Sequence, residues 1–199
     1  KIEFRKDEVT PETLETWLAD FFKDAGKGVS ITLPLKEAAL NYADEISDRA
    51  RLASACNVIY SKDEKIFADC TDGFGLIKDL EENLKVSLED KKILILGAGG
   101  AARGIIPSII EKKPAKLKVA NRTESKALLL KEDLEAKVSL KEKNIIFEFG
   151  DLSDDFLLDD PYDLVINSTS ISTQAGESIG LPKALFKGTK LAYDLFYSA

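Results

Sequence analysis

The sequence predicts an α/β protein of two domains, a smaller mixed unit followed by a doubly wound parallel sheet. Three observations lead there. From Lys91 onward, apolar strands alternate regularly with helical stretches, and strands are expected at 92–96, 117–120, 145–149, 163–167 and 190–195. The first of these runs straight into Gly97-Ala98-Gly99-Gly100-Ala101-Ala102, a glycine turn opening an alanine-rich helix. Upstream the pattern is less regular, and polar residues over 84–90 separate it from the alternating part, so the domains are expected at 1–84 and 85–199. A chain of 199 residues is long enough to bury two cores.

In chain order, Ile2 to Val9 alternates loosely and reads as a strand, with Thr10 as N-cap and Pro11 at the first position of a helix. Leu14, Trp17, Leu18, Phe21 and Phe22 fall on one wide face of that helix, and Gly26 and Gly28 end it. Val29–Leu33 reads as a strand closed by Pro34, and 36–43 and 47–53 read as helices. Val58-Ile59-Tyr60 and Lys65–Ala68 flank a polar turn as in a hairpin, and Asp72–Glu82 is the next helix, with Phe74, Ile77 and Leu80 inward. In the last strand Tyr193 and Tyr197 share a side and Phe196 faces the core. The segment 169–180 is expected to be a loop over the carboxyl ends of the strands.

The glycine turn defines a Rossmann-type phosphate cradle. Gly97 permits the tight turn, Gly99 lets backbone approach phosphate oxygens, and Ala102 takes the small position where helix packs on strand. Unpaired N–H groups and the helix dipole, with Ala98, Gly100 and Ala101 in the same turn, supply the attraction. Twenty-four positions after Gly97 the second strand ends in Asn121-Arg122-Thr123. A carboxylate there would accept hydrogen bonds from a ribose 2′-OH and repel a 2′-phosphate, whereas Asn121 and Arg122 donate, which points to NADP rather than NAD. Lys126, at i+4 from Arg122, adds a second positive charge. Asn167, Ser168 and Thr169, after the fourth strand, either cap the strand end or touch the cofactor.

A net charge of −7 argues against nucleic acid or an acidic membrane surface as partner. No apolar run approaches the ~20 residues of a membrane span, and no signal peptide is seen, so a cytoplasmic location is expected. Cys56 and Cys70 fit no metal-ligand spacing and are expected to be reduced thiols. With no histidine in the chain, proton transfer falls to Lys, Asp, Glu, Tyr or Cys. In the first half, Ser30, Thr32, Lys36, Asn57 and Asp72 each stand at a strand end or loop junction, where polar side chains converge on clefts. A lysine and a carboxylate in one cleft either share proton transfer or form a structural ion pair.

GVSITLPLKEAA at 28–39, ACNVI at 55–59, DCTDGFG at 69–75, GAGGAARG at 97–104, ANRT at 120–123, INSTS at 166–170 and AYDLFYS at 192–198 together resemble the shikimate dehydrogenase family. The resemblance implies a two-domain enzyme that reversibly reduces 3-dehydroshikimate to shikimate with NADPH, in aromatic amino-acid biosynthesis. It implies Lys36 and Asp72 as the catalytic pair, Ser30, Thr32 and Asn57 as substrate contacts, and Tyr197 closing the cleft from the second domain. Asn121, Arg122, Thr123 and Lys126 would hold the 2′-phosphate. Asp69 would order the turn or cap the following helix. Ser30, Val58 and Cys70 stand where the family pattern has Asn, Thr and Asn. An early Ser-x-Ser segment and a late Gln-bearing helix have no counterpart, so the chain is expected to lack the family's extreme N- and C-terminal segments.

Three alternatives stay open. One is a quinate- or shikimate-type dehydrogenase with altered substrate. Another is a non-catalytic NADP-binding regulatory module. Glutamyl-tRNA reductase shows a similar glycine turn and Asn-Arg-Thr but needs a nucleophilic cysteine and a tRNA, against which the acidity argues. The partner expected is a small-molecule substrate, with the protein a monomer or homodimer.

Overall fold

The computed structural model describes residues 2–138, 144–158, 161–169 and 179–196. Among these the strands form two sheets. The first has the order β1 (Gly28–Ser30), β3 (Val58–Lys62), β4 (Lys65–Asp69), β2 (Glu45–Ile46). β3 and β4 are the expected hairpin, turning at Asp63 and Glu64 with φ of 52° and 60°, the left-handed pair that a tight two-residue connection needs. α1 (Leu14–Lys23) and α3 (Asp48–Ala53) close its core, in which Leu14, Leu18, Ala50 and Ala53 meet Ile59 and Ala68. Ser47 caps α3 by accepting the Ala50 N–H.

Several local expectations are corrected. Among the described residues Ile2–Val9 pairs with no sheet strand, and Ile2 and Phe4 are 94% and 80% exposed. Alternation marks residues able to share a face, but a strand exists only with a ladder partner, and β1–β4 leave this segment none. Thr10–Thr13 is a closed turn, so α1 starts later, with Thr13 as N-cap in place of Thr10. Ala25, not a glycine, takes the left-handed position after α1 (φ 63°), while Gly26 N–H returns to Phe21 O. The helix expected over 36–43 is α2 (Lys36–Ala39) tightening into a 3₁₀ turn at Leu40–Tyr42. α4 (Asp72–Lys78) widens into a π-helical turn over Asp79–Asn83. Its inward residues are Gly73, Leu76, Ile77 and Leu80, whereas Phe74 is 59% exposed.

The reason is the second unit. Its sheet is parallel with order β7 (Ile146–Gly150), β6 (Lys116–Ala120), β5 (Lys92–Leu96), β8 (Leu164–Asn167), β9 (Leu191–Asp194), doubly wound about β5. Each strand lies within one residue of its expectation at either end. Ile93, Ile95, Leu117, Val119, Leu164 and Ile166 point to one face, covered by α5 (Gly100–Glu111), α6 (Glu124–Lys137) and the Leu76, Ile77 and Leu80 side of α4. Leu94, Leu96, Ala120 and Val165 point to the other, under Leu157 of α7 (Asp154–Leu157), Tyr162 and Leu185. α4 crosses α5 at Gly73, where an added Cβ would lie 2.8 Å from Gly104 O, and that close crossing turns Phe74 outward. In β9 and just beyond, Leu191, Tyr193 and Leu195 pack on the core, the role expected of Phe196.

Candidate active site

The register places Leu96, Ala120, Gly150, Asn167 and Asp194 in one row at the carboxyl ends of the second sheet. The loops leaving this row share one rim. The strand order reverses between β5 and β8, where ligands seat in such sheets, and the glycine turn emerges there. Gly97 has φ 109°, which only glycine adopts without strain, and a Cβ on it would lie 3.2 Å from Thr169 Cγ2. Thus Ser168 and Thr169 are brought against the turn. Ser168 Oγ donates to Leu96 O at 2.7 Å, and Asn167 Oδ1 accepts from Thr169 N and Oγ1 at 3.1 and 2.8 Å.

Nothing stands within 4 Å of where a Gly99 Cβ would be, so open space faces the N-terminus of α5. First-turn N–H groups of a helix lack intrahelical acceptors, and an anion is their natural partner. Gly100, Ala101 and Ala102 are buried behind this opening. At the next strand end, Asn121 Nδ2 donates to Thr123 O at 2.9 Å, and Arg122 and Thr123 are exposed. α6 begins at Glu124, so Arg122 precedes the helix and Lys126 lies in its first turn; the i+4 relation expected between them does not run along one helix face. These residues fit a phosphorylated dinucleotide: a cradle open at its glycine, donors at the strand end, and no carboxylate among 121–123.

The first unit delivers its polar residues to the same place. β1 ends at Ser30, the cis Leu33-Pro34 peptide comes next, and Lys36 begins α2. Lys36 Nζ donates to Asp72 Oδ2 at 2.5 Å, with side-chain exposures of 12% and 23%. Asp72 Oδ1 accepts from Asn57 Nδ2 at 2.9 Å. Asn57 also accepts from Thr71 N at 2.9 Å, so its amide is committed to holding the start of α4. The pair rests on α5: a Cβ on Gly100 would sit 3.1 Å from Lys36 Cβ, and one on Gly104 would sit 2.8 Å from Asp72 Oδ2. A paired ammonium and carboxylate, both held by neighbours, therefore stand beside the phosphate cradle. Ser30 and Thr32 are exposed on the approach to this pair in sequence, and Tyr197 lies outside the described residues.

Asp69 does not cap α4. It accepts from Ser47 Oγ (2.7 Å), Arg49 Nε (2.8 Å) and its neighbour Cys70 N (2.8 Å), which orders the turn into Thr71-Asp72. The Arg49 hydrogen bonds hold its carboxyl below the usual range. Burial pushes the thiols of Cys56 and Cys70 up, to about 12 and about 11, which leaves both protonated and unreactive at neutral pH. Sequence reasoning missed Gly104, Gly73 and Arg49. Glycines at 73 and 104 carry a signal in retrospect, since a glycine inside a helix marks close approach.

No group of histidine, cysteine, aspartate and glutamate able to hold a metal occurs among the described residues, nor any helix long and apolar enough to cross a membrane. A doubly wound dinucleotide-type sheet joined to a smaller α/β unit, with a lysine–aspartate pair at the seam, defines a two-unit α/β protein of the dinucleotide-binding class. The family described as the shikimate dehydrogenase substrate binding domain matches residues 1–59, and that described as shikimate / quinate 5-dehydrogenase matches residues 79–175. The chain is 41% identical over 180 residues to shikimate dehydrogenase (NADP(+)) of Herminiimonas arsenicoxydans, covering 90% of this chain and 62% of that one. It is 41% identical over 201 residues to shikimate dehydrogenase (NADP(+)) of Psychromonas ingrahamii, covering 100% and 69%. The structure of shikimate 5-dehydrogenase from Thermus thermophilus in complex with NADP(H) and shikimate superimposes with a TM-score of 0.75 at 28% identity, over 94% of this chain and 64% of that one. The chain belongs to the shikimate dehydrogenase family. It spans about three fifths of the length of the first of these relatives.

Proposed function

We propose that this chain carries the catalytic pair and the dinucleotide site of an NADP-dependent dehydrogenase that interconverts 3-dehydroshikimate and shikimate, in aromatic amino-acid biosynthesis. One observation carries the reading: the 2.5 Å Lys36–Asp72 pair packed on the first turns of the glycine-turn helix. The names of the relatives supply the substrate and the cofactor.

Bound NADPH supplies the hydride, and NADP+ takes it back in the reverse direction. As a carbonyl is reduced, negative charge grows on its oxygen, and the Lys36 ammonium donates the proton there; in oxidation the same nitrogen receives it. Asp72 aims that nitrogen through Oδ2 and accepts a hydrogen bond from the neighbouring substrate hydroxyl, while Asn57 keeps the carboxylate in register. Ser30, Thr32 and Asn57 bound the substrate side. Gly97, Ala98, Gly99, Gly100 and Ala101 cradle the pyrophosphate, Asn121, Arg122, Thr123 and Lys126 hold the 2′-phosphate, and Asn167, Ser168 and Thr169 border the nicotinamide end. The units are 1–84 for substrate and 85–199 for cofactor, with α4 as the seam whose apolar side packs into the second core. The protein works in the cytoplasm as a monomer or homodimer.

The test is NADP+ reduction by shikimate on the full-length protein beside Lys36→Ala and Arg122→Ala. Lys36→Ala is expected to lower kcat by about 10²-fold or more. Arg122→Ala is expected to raise the KM for NADP+ roughly tenfold without changing kcat, and to narrow the preference over NAD+. Turnover of quinate alone would move the substrate assignment. Silence with both acids alongside intact NADP+ binding would make the protein a binding module.

A further inference from the structure

Arg103 lies in the first turn of α5, and the function proposed above gives it no role. Its side chain is 12% exposed, and Nη1 donates to Asp133 Oδ2 of α6 at 2.7 Å. Asp133 is a junction. It also accepts from Ser54 Oγ, the left-handed residue that closes α3, at 2.7 Å, and from Lys137 at 2.7 Å. Burial opposes its ionisation, yet the hydrogen bonds from Lys137 and Ser54 and the charges of Lys137 and Arg103 hold its carboxyl below the usual range. One side of the guanidinium is therefore anchored to both units.

The other side is unfinished. Arg103 Nε is buried and makes no hydrogen bond, while Glu37 Oε2 stands 3.5 Å away. Glu37 is the residue after Lys36 on α2, and its side chain is 52% exposed. Shortening that gap by about 0.6 Å would turn a loose ion pair into a charge-assisted hydrogen bond. The guanidinium thus spans from the helix whose N-terminus faces the phosphate cradle to the helix that begins with the proposed proton donor.

We propose that Arg103 is a positioning residue that links occupancy of the phosphate cradle to Lys36. This role rests on the dinucleotide reading above. Phosphate drawn onto the N-terminus of α5 brings the helix toward α2, Arg103 Nε then donates to Glu37, and the new bond stiffens the turn that carries Lys36. The Nε–Glu37 bond is the differential contact that the bound state makes and the free state lacks.

Hydrogen exchange over residues 35–42, measured with and without NADP+, tests this on wild type, Arg103→Lys and Glu37→Ala. Lysine keeps a cation opposite Asp133 but cannot serve both carboxylates as a fork. Glu37→Ala removes an exposed acceptor and leaves the Asp133 junction whole, so it remains informative if the arginine variant misfolds. In wild type, NADP+ is expected to slow exchange at least about fivefold. In both variants the slowing is lost, NADP+ affinity falls by no more than the same roughly fivefold that linkage requires, and kcat falls roughly tenfold. Slowing or kcat retained in Glu37→Ala overturns the proposal, as does absence of slowing in wild type that binds NADP+. Cofactor affinity lost well beyond that roughly fivefold in Glu37→Ala overturns it too. A wild type that fails to bind NADP+ instead sinks the dehydrogenase reading on which the proposal stands.

Discussion

At the level of single residues, the absence of a side chain at position 104 matters as much as the charged groups it faces. Gly104 lies inside α5, and a methyl group there would meet Asp72 Oδ2 at 2.8 Å and Cys70 Sγ at 3.2 Å. Asp72 would have to retreat from Lys36. Gly104→Ala is thus expected to lower kcat by about 10- to 100-fold in steady-state assays while NADP+ affinity is kept, because small misplacements of reacting groups are costly. Circular dichroism should show the fold intact. Lys36, Asp72 and the glycine turn were legible in the sequence because each sits beside a local punctuation mark, a proline or a glycine, in a recognisable segment. Arg103 was not: its partners Glu37, Asp133 and, through Asp133, Ser54 come from three other elements, and nothing local announces them. Lys118 misleads in the opposite sense. It alternates with Leu117 and Val119, as a surface lysine would, yet is 1% exposed, its Nζ paired with Glu148 and donating to Phe156 O.

Among the elements, the second sheet could be read almost to the residue. Its central strands β5, β6 and β8 are buried on both faces and read as short runs between turn signals, and five strands in a row with helical segments between most of them leave few alternatives. The first unit was harder. Its strands are short, and whether Ile2–Val9 becomes a strand depends on a ladder partner that no local pattern encodes. The inward side of α4 was misjudged at Phe74 for a related reason, since its partner is α5 of the other unit and the contact is made through glycines. Leu80 measures that contact. It is fully buried in the π-helical turn and packs into the second core, and Leu80→Ala should cost about 2–5 kcal/mol, read as a lower midpoint in denaturant. A loss confined to one of two unfolding transitions would show that the units melt separately.

For the molecule as a whole, a second tie joins the last strand of the second sheet to the helix that forms the seam. Tyr193 on β9 donates to Asp79 at the end of α4 with an O···O distance of 2.7 Å. Burial, that hydrogen bond and the negative charge of Asp79 together raise the phenol from its ordinary value near 10 to about 12. The folded state therefore holds the phenolic proton more tightly than the unfolded chain does. The stabilisation is complete below pH 10 and drains away between 10 and about 12, as the unfolded chain ionises first. Tyr193→Phe should be less stable than wild type at pH 8, and the difference should shrink by about pH 11 in denaturant titrations. A constant difference across that range would mean that the phenol's ionisation is not coupled to folding.

The lysine of the central pair is carried by a helix rooted in the first core through Leu35 and Ala39, and the aspartate by one rooted in the second through Leu76 and Ile77. Their separation is consequently an alignment gauge between two half-molecules. Inherited substitutions at the α4–α5 crossing, none touching a ligand, can then silence the protein while it still folds. Such variants would pass a screen for folding and fail the screen for turnover.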